Sequence, residues 1–255
     1  ADYVRDLTGR GHRITVYTTD NLDIRRLPKR TDIIDGAKVH YFRNLNNWHA
    51  HHKKRHIPIG LHRELRRTLK NFDVVHVSES RSYAHAILGS YLRWWNIPYV
   101  HTAFGSLPRR KEGYKTVYDQ LFTKPLVRGA SSLLAQNRHE ASEYTRFGAK
   151  QHQIRLLPLG VNLSDFKDLP GRMRFRDRIG VSRDSHLLLF LGRIHESKGL
   201  ESLLETFRLA IDNDSTLHLA IVGRDDGYLN TVQRTIKKNN LNRCVSLVGP
   251  LYGQD

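Results

Sequence analysis

Short, uninterrupted apolar runs alternate with amphipathic stretches along this chain, and that rhythm constrains its fold most. The clearest run is Leu187-Leu188-Leu189-Phe190-Leu191, which stops at Gly192. A strand that apolar throughout is buried on both faces. Strands of that kind separated by helices build a parallel sheet covered above and below. Strands are expected over 13–18, 39–42, 73–77, 99–104, 131–135, 154–158, 186–191, 217–222 and 245–248. Helices are expected over 58–71, 83–95, 114–127, 137–147, 173–179, 199–211 and 229–239, with Leu61, Leu65 and Leu69 forming the apolar stripe of the first. Tyr3 to Gly11 reads as the end of a further helix, with Gly9 and Gly11 as stop signals. The block from Leu45 to Ile57 reads as a long loop. Two such series, separated by Asp165 to Gly171, give an α/β chain of two doubly wound domains, 1–165 and 166–255. In these sheets ligands bind outside the carboxyl ends of the strands, so functional residues are sought just after them.

The charge narrows the choice of partner. Lys plus Arg number 42 against 25 Asp plus Glu, a formal charge of +17, which favours anionic partners. The excess is uneven: between Arg43 and Lys70 lie eight Lys or Arg and a single acid, Glu64. Trp48, Ile57, Ile59, Leu61 and Leu65 sit among those cations, a mixture suited to the headgroup boundary of an anionic membrane. A solvated basic face and a nucleic-acid contact are the other two readings of the segment. His49, His51 and His52 match no closed zinc spacing and have no cysteine nearby, so no metal is expected. Cys244 is the only cysteine, which rules out an intrachain disulfide and makes a reducing compartment the simpler setting. The longest apolar run is far too short to cross a bilayer, and no signal peptide is visible. Ala1 in place of Met, in what reads as mid-helix, points to a chain cut from a longer one.

The chemistry concentrates after the strand 186–191. There the sequence runs Gly192-Arg193-Ile194-His195-Glu196-Ser197-Lys198-Gly199-Leu200. Gly192 permits a sharp turn and Gly199 a close approach to the helix start. The helix N-terminus presents unpaired N–H groups, Arg193 can grip phosphate oxygens in pairs, and Lys198 adds a point charge. Read bottom-up this is an anion site, or else a strand-helix loop with two solvated cations.

The wider string Phe190-Leu191-Gly192-Arg193 through Lys198-Gly199-Leu200, then Leu203-Leu204 and Phe207, resembles the donor-domain signature of the family-four retaining glycosyltransferases. Further segments are similar to that family in the same order. These are Gly9-Arg10-Gly11-His12 to Val16, Pro98-Tyr99-Val100 through Gly105-Ser106-Leu107-Pro108, Leu157-Pro158-Leu159-Gly160-Val161-Asn162, Val222-Gly223-Arg224-Asp225-Asp226-Gly227-Tyr228, and Val248-Gly249-Pro250-Leu251-Tyr252. The resemblance implies the GT-B fold: two Rossmann-like domains facing a cleft, both incomplete here. It implies transfer of a sugar from a nucleotide-diphosphate sugar, with retention at the anomeric carbon, to a lipid-linked or polysaccharide acceptor. It places donor binding on Gly192, Arg193, Lys198, Gly199 and Gly223, with Arg193 and Lys198 as the groups that stabilise the leaving diphosphate. Negative charge grows there as the glycosidic bond breaks, so fixed cations favour the transition state. No cofactor beyond the nucleotide-sugar co-substrate and no metal is implied. The expected place is cytoplasmic, peripheral at the inner membrane face through Arg43–Lys70.

The resemblance has departures. Leu159 stands where the family usually has Asn, and Phe104 where it commonly has a His. Phe cannot relay a proton or hydrogen-bond a sugar hydroxyl. His101, three residues earlier, falls on the opposite face of the strand and reads as a partly buried, hydrogen-bonded histidine. The family's paired glutamates would follow Asp255 and its glycine loop would precede Ala1, so this length is expected to be inactive alone. Glu79 and Arg81, just after the strand 73–77, are placed to line a cleft or else to serve as a helix cap and a surface charge; Glu196 reads as tuning its loop, and Asp225 and Asp226 as caps for the helix after Gly227. Two other functions remain open: a sugar-nucleotide epimerase on the same scaffold, and a basic nucleic-acid-binding module, for which no recognised motif is present.

Overall fold

The computed structural model describes residues 2–22, 25–53, 55–107, 113–171 and 173–252, without the side chains of Asp2, Lys53, Tyr114, Ser164 and Asp165. Ala1, Pro108 and Asp255, named above, and Lys54, one of the eight cations between Arg43 and Lys70, lie outside the described residues. The chain divides into two compact units, Ala1–Asn162 and Leu163–Asp255. No helix among the described residues is long and apolar enough to cross a membrane.

The first unit opens with α1 (Asp2–Gly9), β1 (Thr15–Thr19), β2 (Asn21–Leu22), β3 (Arg25–Arg26), β4 (Thr31–Ile34) and β5 (Ala37–Phe42). There follow α2 (Asn47–Lys53), α3 (Leu61–Thr68), β6 (Val75–Ser78), α4 (Tyr83–Trp94), β7 (Tyr99–Thr102), α5 (Gly113–Tyr118), α6 (Lys124–Arg128), β8 (Ser132–Ala135), α7 (Arg138–Arg146) and β9 (Ile154–Leu156). β6-β7-β8-β9 is a parallel sheet in sequence order. β1 pairs β5 in parallel, and β4 joins β5 antiparallel. The core under these sheets gathers Leu61, Leu65, Leu69, Val77, Leu92, Tyr99, Leu126, Leu133, Tyr144 and Phe147, with Tyr17 and Phe42 packed against it.

Four features depart from the sequence expectation, the first two in strand direction. Asp35 and Gly36, at φ 50° and 79°, make a two-residue turn that folds β4 back on β5. Residues that tolerate positive φ favour this tight hairpin. β2 and β3 form a second, very short antiparallel pair. The supposed loop Leu45–Ile57 contains α2, which lacks the apolar stripe that reveals a helix in sequence. The helix expected over 114–127 is also broken: Asp119–Thr123 is a π-helical turn, where Lys124 N bonds to Asp119 O. Pro125, just inside α6, brings no N–H for the regular ladder.

The second unit contains α8 (Met173–Ile179), β10 (His186–Leu191), α9 (Leu200–Ile211), β11 (Leu217–Val222), α10 (Leu229–Lys238) and β12 (Val245–Gly249). Its strands form one parallel sheet in the order β10-β11-β12. Leu200, Leu204 and Phe207 of α9 pack with Leu219 and Ile221 of β11 and with Val232 and Ile236 of α10. β10 is an edge strand and does not match the expected burial on both faces: Leu188, Leu189 and Leu191 are exposed.

Candidate functional site

The loop after β10 is built as a turn into a helix. Beyond Gly192 and Arg193, Glu196–Lys198 forms a single 3-10 turn. His195 Nδ1 accepts the Ser197 N–H at 3.1 Å, and Lys198 N donates to His195 O at 3.0 Å. Gly199 then opens α9 at φ 66°, a left-handed conformation that costs side-chain-bearing residues about 1–2 kcal/mol. A Cβ on Gly199 would meet nothing within 4 Å, so the space beside the helix start is open. The first N–H groups of α9 have no partner within the helix. Lys198 is exposed and, among the described residues, makes no ion pair.

Gly192 and Gly223 serve each other. Gly192 does not adopt positive φ, so the expected sharp turn is not its reason for being glycine. A Cβ on Gly223 would lie 1.7 Å from the Gly192 carbonyl oxygen. The ends of β10 and β11 abut there, with Gly192 N bonded to Val222 O at 3.0 Å, Ile194 N to Arg224 O at 2.9 Å and Asp226 N to Ile194 O at 3.0 Å. The two loops run side by side, and this brings Arg193 onto Asp226, to which its Nη1 donates. Asp225 is the helix cap that the sequence suggested: its Oδ1 accepts from the N–H groups of Gly227, Tyr228 and Leu229. Asp226 instead pairs with Arg193, a partnership between positions too distant in sequence to be read from it.

Gly192, Arg193, Lys198, Gly199 and Gly223 therefore all lie at the carboxyl edge of one parallel sheet. A guanidinium, an unpaired ammonium and a helix N-terminus at that edge are suited to a multiply charged anion. Asp226 is the carboxylate such an anion would have to displace or share.

The corresponding edge of the first unit holds backbone in unusual conformations. Glu79, after β6, has φ 68°, and Phe104, after β7, has φ 48°. Non-glycine residues at such angles cluster where function constrains the chain. Phe104 and Gly105 border a recess of about 160 Å³ whose other walls are Leu107, Gln136, Asn137, His139, Glu140 and Glu143. The buried Glu140 carboxylate is committed to the backbone, accepting from Gly105 N at 2.8 Å and from Gln136 N at 2.7 Å. Gln136 Nε2 is buried and, among the described residues, has no hydrogen-bond partner, a donor that the sequence did not single out.

His101 is fully buried, more so than the partly buried histidine expected from the sequence. Its Nε2 lies 2.9 Å from Glu79 O, and Tyr144 Oη lies 3.1 Å from its Nδ1. Burial pushes its pKa down to about 4, so at neutral pH it is an uncharged structural group. It does not stand in for the side chain missing at Phe104. Arg81, read as a surface charge, is instead a clamp: it grips Asp119 through Nε at 2.7 Å and Nη2 at 2.9 Å, and donates to the carbonyls of Ser106 and Leu107. Among the described residues no group of three or more His, Cys, Asp or Glu is placed to hold a metal ion.

Comparison with known proteins bears on both units. The profile of the family described as "Glycosyl transferase 4-like domain" matches residues 1–160. The D-inositol 3-phosphate glycosyltransferase of Thermomonospora curvata is 26% identical over 254 residues, covering 89% of this chain and 57% of that protein. Its namesake from Kineococcus radiotolerans is 28% identical over 184 residues, 66% of this chain and 40% of that protein. The chain thus spans about half the length of these curated relatives. Among solved structures, a glycosyltransferase from Rickettsia africae superposes with a TM-score of 0.72 at 16% identity, over 99% of this chain and 64% of that one. Anabaena HepE, solved with UDP and glucose, gives 0.68 at 13% identity, over 94% and 70%. These structural matches carry the two-domain α/β fold class that the sequence reading expected.

Proposed function

Because the chain belongs to the glycosyl transferase 4-like family, we propose that it transfers a sugar, with retention at the anomeric carbon, from a nucleotide-diphosphate sugar to a lipid-linked or polysaccharide acceptor. In this reading Arg193 and Lys198 hold the donor diphosphate. The N-terminus of α9, opened by Gly199, receives part of the same charge. As the bond from the sugar to phosphate breaks, charge accumulates on the leaving group, and cations fixed at that point lower the barrier without a metal ion. The reaction is placed at the cytoplasmic face of a membrane.

The observation that supports the reading best is the arrangement after β10. An exposed, unpaired Lys198 and a left-handed Gly199 with open space beside it stand one short turn from Arg193. The acceptor is not transferred from the relatives' names. This chain spans about half the length of those relatives, so the acceptor they are named for is not carried over. Family membership weighs against the nucleic-acid reading.

The test supplies the protein, at the full length its gene encodes, with labelled UDP-, GDP- and ADP-sugars and with membrane lipid or polysaccharide. The product is read by NMR at the anomeric carbon. A glycosylated acceptor with the donor's anomeric configuration supports the proposal. An inverted product, or a free epimerised sugar nucleotide, contradicts it.

A further inference from the structure

The two ends of the segment from Arg43 to Ile59 are tied together, with Asn44 and Asn47 buried and Leu45, Ile57 and Ile59 exposed. Asn44 and Pro58 form an antiparallel bridge; Leu45 N donates to Ile57 O at 3.0 Å and Ile59 N to Arg43 O at 2.8 Å. Side chains alternate across such a ribbon. The bridge pair, Asn44 and Pro58, is buried, so Arg43, Leu45, Ile57 and Ile59 share the outward face. Leu45 is 58% exposed, Ile57 38% and Ile59 50%.

This exposure is not the looseness of a long loop. Asn44 Nδ2 donates to Asn46 O at 2.9 Å and to Asn47 Oδ1 at 3.0 Å, while Asn44 Oδ1 accepts from Ile57 N at 2.8 Å. Asn44 N reaches Asp20 at 2.8 Å, and Asn47 Nδ2 reaches Arg25 O at 2.7 Å. The fold turns Asn44 and Asn47 inward and holds Leu45, Ile57 and Ile59 in water, the reverse of ordinary surface chemistry. α2 adds Trp48, 54% exposed. Between Leu45 and Ile57 lies a recess of about 370 Å³, also walled by His49 and Arg55. Arg43 and Arg55 are exposed and, among the described residues, form no ion pair.

We propose that this face docks on an anionic lipid bilayer. Leu45, Ile57, Ile59 and Trp48 enter the boundary between headgroups and acyl chains, while Arg43 and Arg55 meet lipid phosphates at the rim of the recess. The proposal deepens the function above, on which it rests for its purpose: a lipid-linked acceptor is met in the membrane plane. Its physics rests on the ribbon alone. Charge complementarity by itself would also admit nucleic acid, but outward aliphatic side chains offer nothing to a phosphodiester backbone. One face of the Trp48 ring is already covered by His52, at 4.6 Å and 27°, which leaves a poor platform for base stacking.

The test is co-sedimentation of the full chain with vesicles of equal parts phosphatidylcholine and phosphatidylglycerol, against vesicles of phosphatidylcholine alone. Each cation near an anionic leaflet is worth about fivefold in partitioning, so Arg43→Glu with Arg55→Glu lowers binding by more than about tenfold. Leu45→Ser with Ile57→Ser lowers it by a similar factor, since buried apolar area also sets the strength of such contacts. Brominated acyl chains quench tryptophan fluorescence in the wild type and do so less in Trp48→Phe. All three results support the proposal. It is overturned by absent vesicle binding, by binding that the two serines leave unchanged, or by tighter binding to random oligonucleotides than to the vesicles. Nucleoside-diphosphate binding is measured on the same samples and stays unchanged in every one of these variants. Its loss in wild type would strike the donor reading and leave the docking result standing.

Discussion

Replacing Arg81 by Ala is expected to unfold the first unit at a markedly lower temperature. Arg81 and Asp119 are largely buried, with side chains 17% and 7% exposed, and meet through two parallel hydrogen bonds. The guanidinium also holds the carbonyls of Ser106 and Leu107, in the turn that follows Phe104 and Gly105. Truncation leaves the Asp119 carboxylate with Thr123 Oγ1 as its remaining hydrogen-bond donor and releases both carbonyls. Breaking a buried pair from one side costs about 3–5 kcal/mol. A domain is stable by only about 5–15 kcal/mol, and in one of this size each kcal/mol moves the midpoint by about 2–4 °C, so a fall of about 6–20 °C is expected. The three tryptophans, Trp48, Trp94 and Trp95, all lie in the first unit, so intrinsic fluorescence follows its melting alone. Removing both charges, Arg81→Met with Asp119→Leu, should cost less than the sum of the single changes. A single Arg81→Ala that costs under about 1 kcal/mol, or strict additivity in the double variant, would refute the clamp.

Two further outcomes follow from the same geometry. His101 takes its proton at about pH 4 when folded, against an ordinary value of 6.5, because burial disfavours the cation. Its contribution is therefore complete above about pH 6.5 and is lost as pH falls toward 4, by on the order of 3 kcal/mol. Urea titrations across that range should show this slope, and His101→Gln should flatten it; an unchanged slope would remove the assignment. Asp226→Asn frees Arg193 from its carboxylate and should tighten nucleoside-diphosphate binding by up to about fivefold, on the order of 1 kcal/mol for a partly exposed pair. Weaker binding in that variant would mean that Asp226 orients Arg193 rather than competes for it.

What the sequence revealed and what it concealed divide along physical lines. The helices and strands of the parallel sheets were legible because burial on both faces imposes continuous apolar runs, as at Leu219–Val222, and because caps are local, as at Asn137 before α7. The Gly192–Gly199 loop was legible for the same reason: its turn, its cations and its helix start lie within one stretch of chain. The hairpin of β4 and β5 left a signal in Asp35-Gly36, overlooked because β4 carries no clean alternation. α2 left none, since it is held by the side chains of Asn44 and Asn46 rather than by an apolar stripe. Arg81 with Asp119, and Arg193 with Asp226, join residues more than thirty positions apart. Nothing in the local sequence distinguishes such pairs from solvated charges.

The account stands on Arg193 and Lys198 as holders of a diphosphate, and calorimetric titration of the full chain with UDP, GDP and ADP tests this most directly. Charge-assisted hydrogen bonds are each worth about 1.5–3 kcal/mol. Arg193→Ala and Lys198→Ala should therefore each weaken the preferred nucleotide by more than about tenfold, with the melting of the first unit unchanged. Equal affinity in the wild type and both variants would contradict the central claim.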